Sequence, residues 1–257
     1  MQLTFLGTGT SFGVPQIGCD CAVCRSDDPR DRRGRSAALV RTGDATILID
    51  TPPELRLQLL AAGVHHVDAV VYTHEHADHV NGIDDLRMFS VRGGKPLEVY
   101  GPPETLGRLR DGFRYIFDDA TPFPGTSRPS LSLNPLEPGR ETLIAGIPVL
   151  PLSFEHGHLR VFGYRFGRLA YLTDVKRVPA AAREQLAGLD VLALNALWWR
   201  PHPTHLSITE AVETARELGV TRTYLTHLTH ETGHADLAAR LPAGVLPAYD
   251  GLTVEVT

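Results

Sequence analysis

The sequence predicts an α/β fold, on three observations. Short runs rich in Val, Ile and Leu recur along the chain, at 46–50, 67–71, 147–154, 169–172, 191–196 and 223–226. Stretches of helical period separate many of them, at 54–62, 103–117, 178–186 and 206–218. Strand-like and helical periods in alternation are the pattern of sheets covered by helices. Histidines and aspartates then collect where the strand-like runs end, which is where sheet-based enzymes carry their chemistry.

The first strand is expected at 3–6, ahead of Gly7-Thr8-Gly9-Thr10, where a lone Gly-x-Gly reads as a tight turn rather than a phosphate cradle. Strands at 36–41 and 46–50 are joined by the turn Thr42-Gly43-Asp44. The helix at 54–62 sets Leu55, Leu59 and Leu60 at helical spacing, begins beside Pro52-Pro53 and stops at Gly63. His65 and His66 fall in the turn before the strand at 67–71 and read as surface residues. A helix at 83–90, a strand at 97–100 and a helix at 103–117 follow. Residues 118–138 are rich in proline and serine and read as an irregular excursion or lid. The strand at 147–154 carries Pro148 and Pro151, and those at 161–166 and 169–172 form a hairpin around Gly167-Arg168. A helix at 178–186, a strand at 191–196 and a polar, aromatic loop at 198–205 lead to the helix at 206–218. Ser207 suits its N-cap, with Glu210 at the capping-box position. The strand at 223–226 precedes strand-like pieces near Val245 and at 252–256.

At 257 residues the chain can bury one sizeable core, and a single domain over 1–257 is expected. Hydrophobic residues at 42% and charged residues at 21% are ordinary globular values. A net charge of −5 provides no basic field over the whole surface, so nucleic acid is not an expected partner. Arg30, Arg32, Arg33 and Arg35 cluster locally, either as a solvated loop or as a phosphate-facing patch. No run reaches the roughly 18 apolar residues of a membrane span. The N-terminus has no basic region followed by a long apolar one, so it does not read as a signal peptide. A cytoplasmic protein without a membrane partner is expected.

The strand at 67–71 runs into Tyr72-Thr73-His74-Glu75-His76-Ala77-Asp78-His79. His74 and His76 lie two apart while Asp78 and His79 are adjacent, so no regular helix or strand puts all of them on one face. The stretch must curl around something. Imidazoles and a carboxylate are the ligand set for zinc, manganese or iron. A surface loop that merely happens to be rich in histidine does not account for this density after a buried strand. The cysteines are Cys19, Cys21 and Cys24 alone, and an odd cluster is no disulfide framework. In the loop 18–25 they supply three thiolates, one short of a closed tetrahedral zinc site. His156, Asp174 and His227 stand at later strand ends. His230, three residues past His227, would point away from it on an extended loop, which suits it as the fourth zinc ligand.

His-x-His-x-Asp-His after a buried strand resembles the signature of the metallo-β-lactamase superfamily of metallohydrolases. The resemblance implies an αββα four-layer sandwich with a dinuclear metal site at one edge of the two sheets. It implies that His74, His76 and His156 hold one metal, that Asp78, His79 and His227 hold the other, and that Asp174 bridges them. His158 rivals His156, and His156-Gly157 fits the pattern better. Two metals about 3.5–4 Å apart share a hydroxide formed at neutral pH and clamp the oxygens of a phosphoryl group. The catalytic candidates are Asp78, also a ligand, and His205, which would protonate the leaving oxygen or contact the phosphate. Cys-x-Cys-x-x-Cys together with Thr226-His227-Leu228-Thr229-His230 resembles the phosphoribosyl cyclic phosphodiesterase branch. That resemblance implies two catalytic zinc or manganese ions, one structural zinc, a homodimer and a small phosphodiester substrate such as a cyclic ribose phosphate. One alternative is an RNA nuclease of the tRNA 3′-end type, which would want an extended basic arm. Thioesterase or β-lactamase action leaves His205 and the cysteine loop without a role. A non-catalytic metal-binding protein is the remaining alternative, and all seven ligands of the pair are present against it.

Overall fold

The structure, a computed structural model, describes residues 1–118 and 126–257. Strands β1 (Gln2–Gly7), β2 (Ala37–Thr42), β3 (Ala45–Ile49), β4 (Ala69–Val71), β5 (Leu97–Gly101) and β6 (Leu131–Pro135) lie side by side in that order. A second sheet holds β7 (Thr142–Ile144), β8 (Ile147–His156), β9 (Leu159–Phe166), β10 (Leu169–Leu172), β11 (Val191–Asn195), β12 (Arg222–Thr226) and β13 (Val245–Pro247), also in sequence order. The last strand, β14 (Thr253–Glu255), returns to β1, so among the described residues each sheet has seven strands.

The central strands are apolar throughout because both of their faces are buried. Side chains alternate between faces along a strand. Ile47, Ile49 and Val71 of the first sheet share a core with Tyr164, Tyr171, Val191 and Ala193 of the second, while Leu48 and Val70 turn the other way. The outer side of the first sheet is covered by α1 (Leu55–Ala61), α2 (Ala77–Val80), α3 (Arg87–Gly93), α4 (Pro103–Gly112) and α5 (Arg114–Phe117). Leu55, Leu59, Leu106, Leu109 and Ile116 from these segments join Leu48 and Val70 there. On the second sheet, α6 (Ala180–Gln185), α7 (Ile208–Leu218) and α8 (His234–Arg240) play the same part, with Ala182, Ile208, Ala211 and Leu237 against Leu192 and Leu194. Each fully buried Leu or Ile contributes roughly 1.5–3 kcal/mol. The result is the expected αββα four-layer sandwich.

Strand direction places the site. β3 to β6 run parallel to one another, as do β10 to β13. β8 is antiparallel to β9, which is antiparallel to β10, so β8 runs the same way as β10. The carboxyl ends of β4, β8, β10 and β12 can therefore reach a common edge.

Several expectations need correction. Residues 131–135, assigned to an irregular excursion, form β6, paired in parallel with β5; positions 119–125 of that stretch lie outside the described residues. The helix expected at 83–90 is a 3-10 turn, Ile83–Leu86, followed by α3. β8 runs two residues further than expected, to His156, and β7 gave no signal of its own. The capping box is as expected: Ser207 N donates to Glu210 Oε2 at 2.7 Å and Glu210 N donates to Ser207 Oγ at 3.2 Å. No helix among the described residues is long and apolar enough to cross a membrane.

The arginine cluster is not a free phosphate patch. Arg33 is buried and donates to Thr8 Oγ1 at 2.8 Å and to the Ala248 carbonyl at 2.6 Å. Burial lowers its guanidinium to about 10, which still leaves it charged at neutral pH. Arg30 pairs with Asp28 at 2.7 Å, and Arg35 pairs with Glu54.

The histidine-rich turn is seated by its backbone: Thr51 N donates to the His79 carbonyl at 2.7 Å and Gly82 N donates to the Thr51 carbonyl at 2.8 Å. A Cβ at position 82 would stand 2.2 Å from the Pro52 carbonyl oxygen. Gly82→Ala is therefore expected to lower stability by about 1–3 kcal/mol through overpacking. A urea midpoint equal to that of the unsubstituted protein would contradict this seating.

Candidate metal centres

β4 ends at Val71, and the chain leaves it through Tyr72 and Thr73. His74 and His76 follow in a loop, while Asp78 and His79 belong to the single turn α2, for which His76 is the N-cap. The motif is thus half loop and half helix rather than all loop. The turn brings the His79 ring to 4.2 Å from that of His74. β8 delivers His156 as its last residue, with its ring 5.5 Å from His74 and 5.2 Å from His76.

Asp174 and His227 follow β10 and β12. Both have positive φ, 57° and 58°, as does Asp50 after β3, at 62°. Left-handed backbone costs a non-glycine residue roughly 1–3 kcal/mol and persists where the surroundings over-determine it, as at functional sites. Here it occurs at three strand ends whose side chains meet in one cluster.

Two donor groups result. His74, His76 and His156 offer ring nitrogens within 4.8 Å of one another, and the ligand atoms of Asp78, His79 and His227 lie equally close. Asp174 connects them. Its Oδ2 is 3.3 Å from His79 Nε2, its Oδ1 is 3.2 Å from His227 Nε2, and it groups with His74 and His79. His205 lies in the same cluster and forms a further possible donor group with His156 and Asp174; its Nε2 donates to Asp174 Oδ1 at 2.9 Å, and its ring is 4.7 Å from His156 and 5.0 Å from His227. His158, like His65 and His66, is exposed and takes no part in these groups.

The surroundings aim the imidazoles inward. Nδ1 of His79 donates to Asp50 Oδ2 at 2.8 Å, Nδ1 of His74 donates to Thr73 Oγ1 at 3.0 Å, and Nδ1 of His156 donates to the Thr204 carbonyl at 3.2 Å. With Nδ1 engaged, Nε2 is left for a ligand, the arrangement that outer hydrogen bonds give metal-binding histidines. Asp50 is itself held by Thr73, whose N and Oγ1 each donate to it at 2.8 Å. Sequence reasoning missed Asp50, Thr73 and Thr204 as site residues. An aspartate closing the strand that pairs with β4 was the available signal for Asp50; Thr204 had none.

The donors fit divalent cations. Nε2 of His79 and both ring nitrogens of His227 are buried without a hydrogen-bond partner. Each such atom costs about 1–3 kcal/mol when left unsatisfied, so several converging beside carboxylates need a common partner. Burial drives His74 well below its ordinary value and His227 down to about 4, leaving those two rings in the neutral form that ligates metals, whereas at His79 the Asp174 and Asp50 carboxylates outweigh burial and raise the ring well above its ordinary value. Burial alone would push Asp174 up, but His227 and His79 outweigh it and hold the carboxylate well below its ordinary range.

A second centre lies apart from these. Sγ of Cys19, Cys21 and Cys24 stand 3.3, 3.3 and 3.4 Å from His230 Nδ1. Donors around a tetrahedral zinc sit about 3.5 Å apart, given metal–ligand lengths of about 2.3 Å for sulfur and 2.0–2.1 Å for nitrogen. The loop pairing that joins them is direct: Leu228 N donates to the Thr8 carbonyl at 2.9 Å, and Thr10 N donates to the Leu228 carbonyl at 3.2 Å. The glycines answer to another neighbour, the segment 33–35. A Cβ on Gly7 would meet the Arg35 carbonyl oxygen at 2.0 Å, so the Gly-x-Gly serves close backbone approach. The Cys24 N–H draws the Cys21 thiol down to about 6, against the effect of burial.

The sandwich and the buried His/Asp cluster define a metal-dependent hydrolase of the metallo-β-lactamase fold. A beta-lactamase superfamily domain model matches residues 45–228. The chain belongs to that superfamily and, within it, to the PhnP family: a PhnP-family diphosphatase of known structure is 41% identical, superposes with a TM-score of 0.92, and the match covers 100% of this chain and 98% of that one. A protein named octanoyltransferase from Porphyromonas gingivalis is 40% identical over 255 residues, 98% of this chain, and the chain spans about half, 51%, of that curated relative's length. The zinc-bound PqqB of Methylobacterium extorquens shares the fold at 21% identity, with a TM-score of 0.80 and 100% of both chains covered.

Two outcomes are expected. Asp50→Ala, which frees His79 Nδ1, should weaken metal binding at the paired centre roughly 10–100-fold, the usual cost of an outer-shell partner, measured by competition with a chelator. Unaltered affinity would show that Asp50 does not orient His79. Cys21→Ser should lose the zinc proposed for the cysteine centre and melt at a lower temperature, since such binding contributes directly to folding. A variant that melts unchanged with full metal content would refute a zinc role for Cys19, Cys21, Cys24 and His230.

Proposed function

We propose that this chain hydrolyses a small phosphodiester, with a cyclic ribose phosphate as the first candidate, at a pair of divalent zinc or manganese ions. The observation that carries the reading is Asp174, a single buried carboxylate that groups with His74 and His79 on one side and with His156 and His205 on the other. His74, His76 and His156 would hold one ion, Asp78, His79 and His227 the other, with Asp174 between them. Cys19, Cys21, Cys24 and His230 would hold a third, structural zinc. A metal pair supplies an activated water and neutralises charge that develops on phosphoryl oxygens. The remaining need is a proton for the leaving oxygen. His205 is the side chain placed to provide it: its Nε2 faces the shared carboxylate, and it lies outside the seven-ligand set. Asp174 keeps that nitrogen turned inward, and the rings of His156 and His227 flank it.

The diphosphatase activity of the related PhnP-family structure makes a diphosphate bond the second reading, since the same centre and the same proton serve both. A cytoplasmic homodimer completes the proposal.

The expected result is that the metal-reconstituted protein, carrying about three metal ions per chain, turns over a cyclic phosphodiester or a diphosphate in preference to a thioester, a β-lactam or pre-tRNA. His205→Ala should keep its metals and fold while losing on the order of 10²-fold or more in turnover, the range of a lost general acid. That loss should shrink for a nitrophenolate leaving group, which needs little protonation. Equal losses for poor and good leaving groups would assign His205 to phosphate contact instead. Turnover confined to pre-tRNA would replace the reading with the nuclease alternative.

A further inference from the structure

The loop between β11 and α7 passes beside the His/Asp cluster, and Thr204 in it touches two of the site's histidines. Its carbonyl accepts from His156 Nδ1 at 3.2 Å, and its hydroxyl lies 2.9 Å from His205 Nδ1. His202 completes the arrangement. Its Nδ1 is 3.1 Å from His205 Nδ1 and 3.3 Å from both the backbone N and Oγ1 of Thr204.

His202 is also held from the outside. Its ring stands edge-on to Trp198, with centroids 5.3 Å apart. The Arg200 guanidinium lies over the Trp198 ring at 3.8 Å and pairs with Glu231 at 2.6 Å. A half-buried histidine is thus fixed by neighbours on one side and faces His205 on the other, yet it belongs to no donor group.

The chemistry of the His205 ring gives this contact a purpose. Asp174 can only accept, so the 2.9 Å bond from His205 Nε2 requires a proton on that nitrogen. Nothing in the bond to Asp174 alone prevents the ring from rotating about that contact. A partner at Nδ1 does. The Thr204 backbone N–H donates to His202 Nδ1 at 3.3 Å, so that nitrogen accepts, and the 3.1 Å contact between the rings is a hydrogen bond with the proton on His205 Nδ1. With Nδ1 engaged by His202 and Nε2 by Asp174, the plane of His205 is kept and Nε2–H stays toward Asp174.

We propose that His202 is a positioning residue: it holds His205 through Nδ1, with the Thr204 hydroxyl as the second hold, so that Nε2 faces Asp174 and the reacting group. The inference rests on the reading of His205 as the proton donor for its catalytic meaning, but not for its structural content. That separates the two in a test.

Long-range proton–nitrogen spectra of zinc-reconstituted, nitrogen-15 histidine-labelled protein report which ring nitrogen carries the proton. The His205 signals are assigned by their loss in His205→Ala. The expected spectrum is a single form of His205 with Nε2 protonated, changing to a mixture in His202→Ala and returning toward the single form in His202→Asn, whose amide oxygen can still accept from Nδ1. Metal content should be the same in all three. In turnover, His202→Ala should lower kcat about 10-fold on poor leaving groups with KM unchanged, less than the roughly 10²-fold of a 1 Å misplacement. Added to His205→Ala it should cost nothing more, because the two act as one unit. An unchanged His205 spectrum in His202→Ala, or losses that add in full, would overturn the proposal. Should no phosphate ester be turned over at all, the proposed function falls while the spectra still decide the role of His202.

Discussion

The carboxylate of Asp174 is the point on which the site is built. A buried carboxylate costs several kcal/mol unless its oxygens are paired. Here Thr173 Oγ1 donates to it at 2.6 Å, His205 Nε2 donates at 2.9 Å, and His79 and His227 stand within 3.3 Å. These partners come from the ends of β10 and β12, the α2 turn and the loop before α7. Each of those elements must therefore end at the same edge, which is what the parallel run of β10 to β12 and the parallel run of β3 to β5 achieve. The positive φ at Asp174 and His227 is the local cost of that convergence, balanced by the pairing it permits.

Around this centre lies a second layer of contacts that decides direction rather than charge. Asp50 sets His79, Thr73 sets His74, and Thr204 sets both His156 and His205. None of these residues is in a donor group. Because an imidazole has two chemically distinct nitrogens, its ligand nitrogen is chosen by what the other one binds. Positions 50, 73 and 204 thus belong to the site as firmly as the histidines do, although two strand ends of the first sheet and the loop before α7 contribute them separately.

The cysteine centre has a different function in the architecture. It ties the loop after β1 to the loop after β12, across the place where the two sheets meet at the site edge. The buried Arg33 adds to the same seam, reaching Thr8 near the start of the chain and Ala248 near its end. Glycines at 7 and 9 let the same loop approach the backbone of residues 33–35 closely. The seam holds His227 and the cysteine loop in one frame, so the paired centre and the cysteine centre share a support without sharing a ligand.

What could be read from sequence was what local chemistry decides. His74, His76, Asp78 and His79 sit within six positions after a recognisable strand, and the cysteines sit within six positions of one another, so their spacing alone announces ligands. The positions of His156, Asp174 and His227 at strand ends were legible because short continuous apolar runs show where strands stop. The resemblance of these motifs to a known superfamily then indicated the sandwich. Other features depend on contacts between distant parts of the chain. Asp50 meets His79 across 29 positions, and His156 meets Thr204 across 48, so no spacing rule reaches either pair. β6 arises from a serine- and proline-rich stretch because β5 offers it a parallel edge, a non-local pairing that overrides composition. Arg33, one of four clustered arginines, is buried because residues at both ends of the chain surround it. The chain's own chemistry chose the donors; only tertiary packing chose which nitrogen of each ring faces inward, because that is decided by the partner at the other nitrogen.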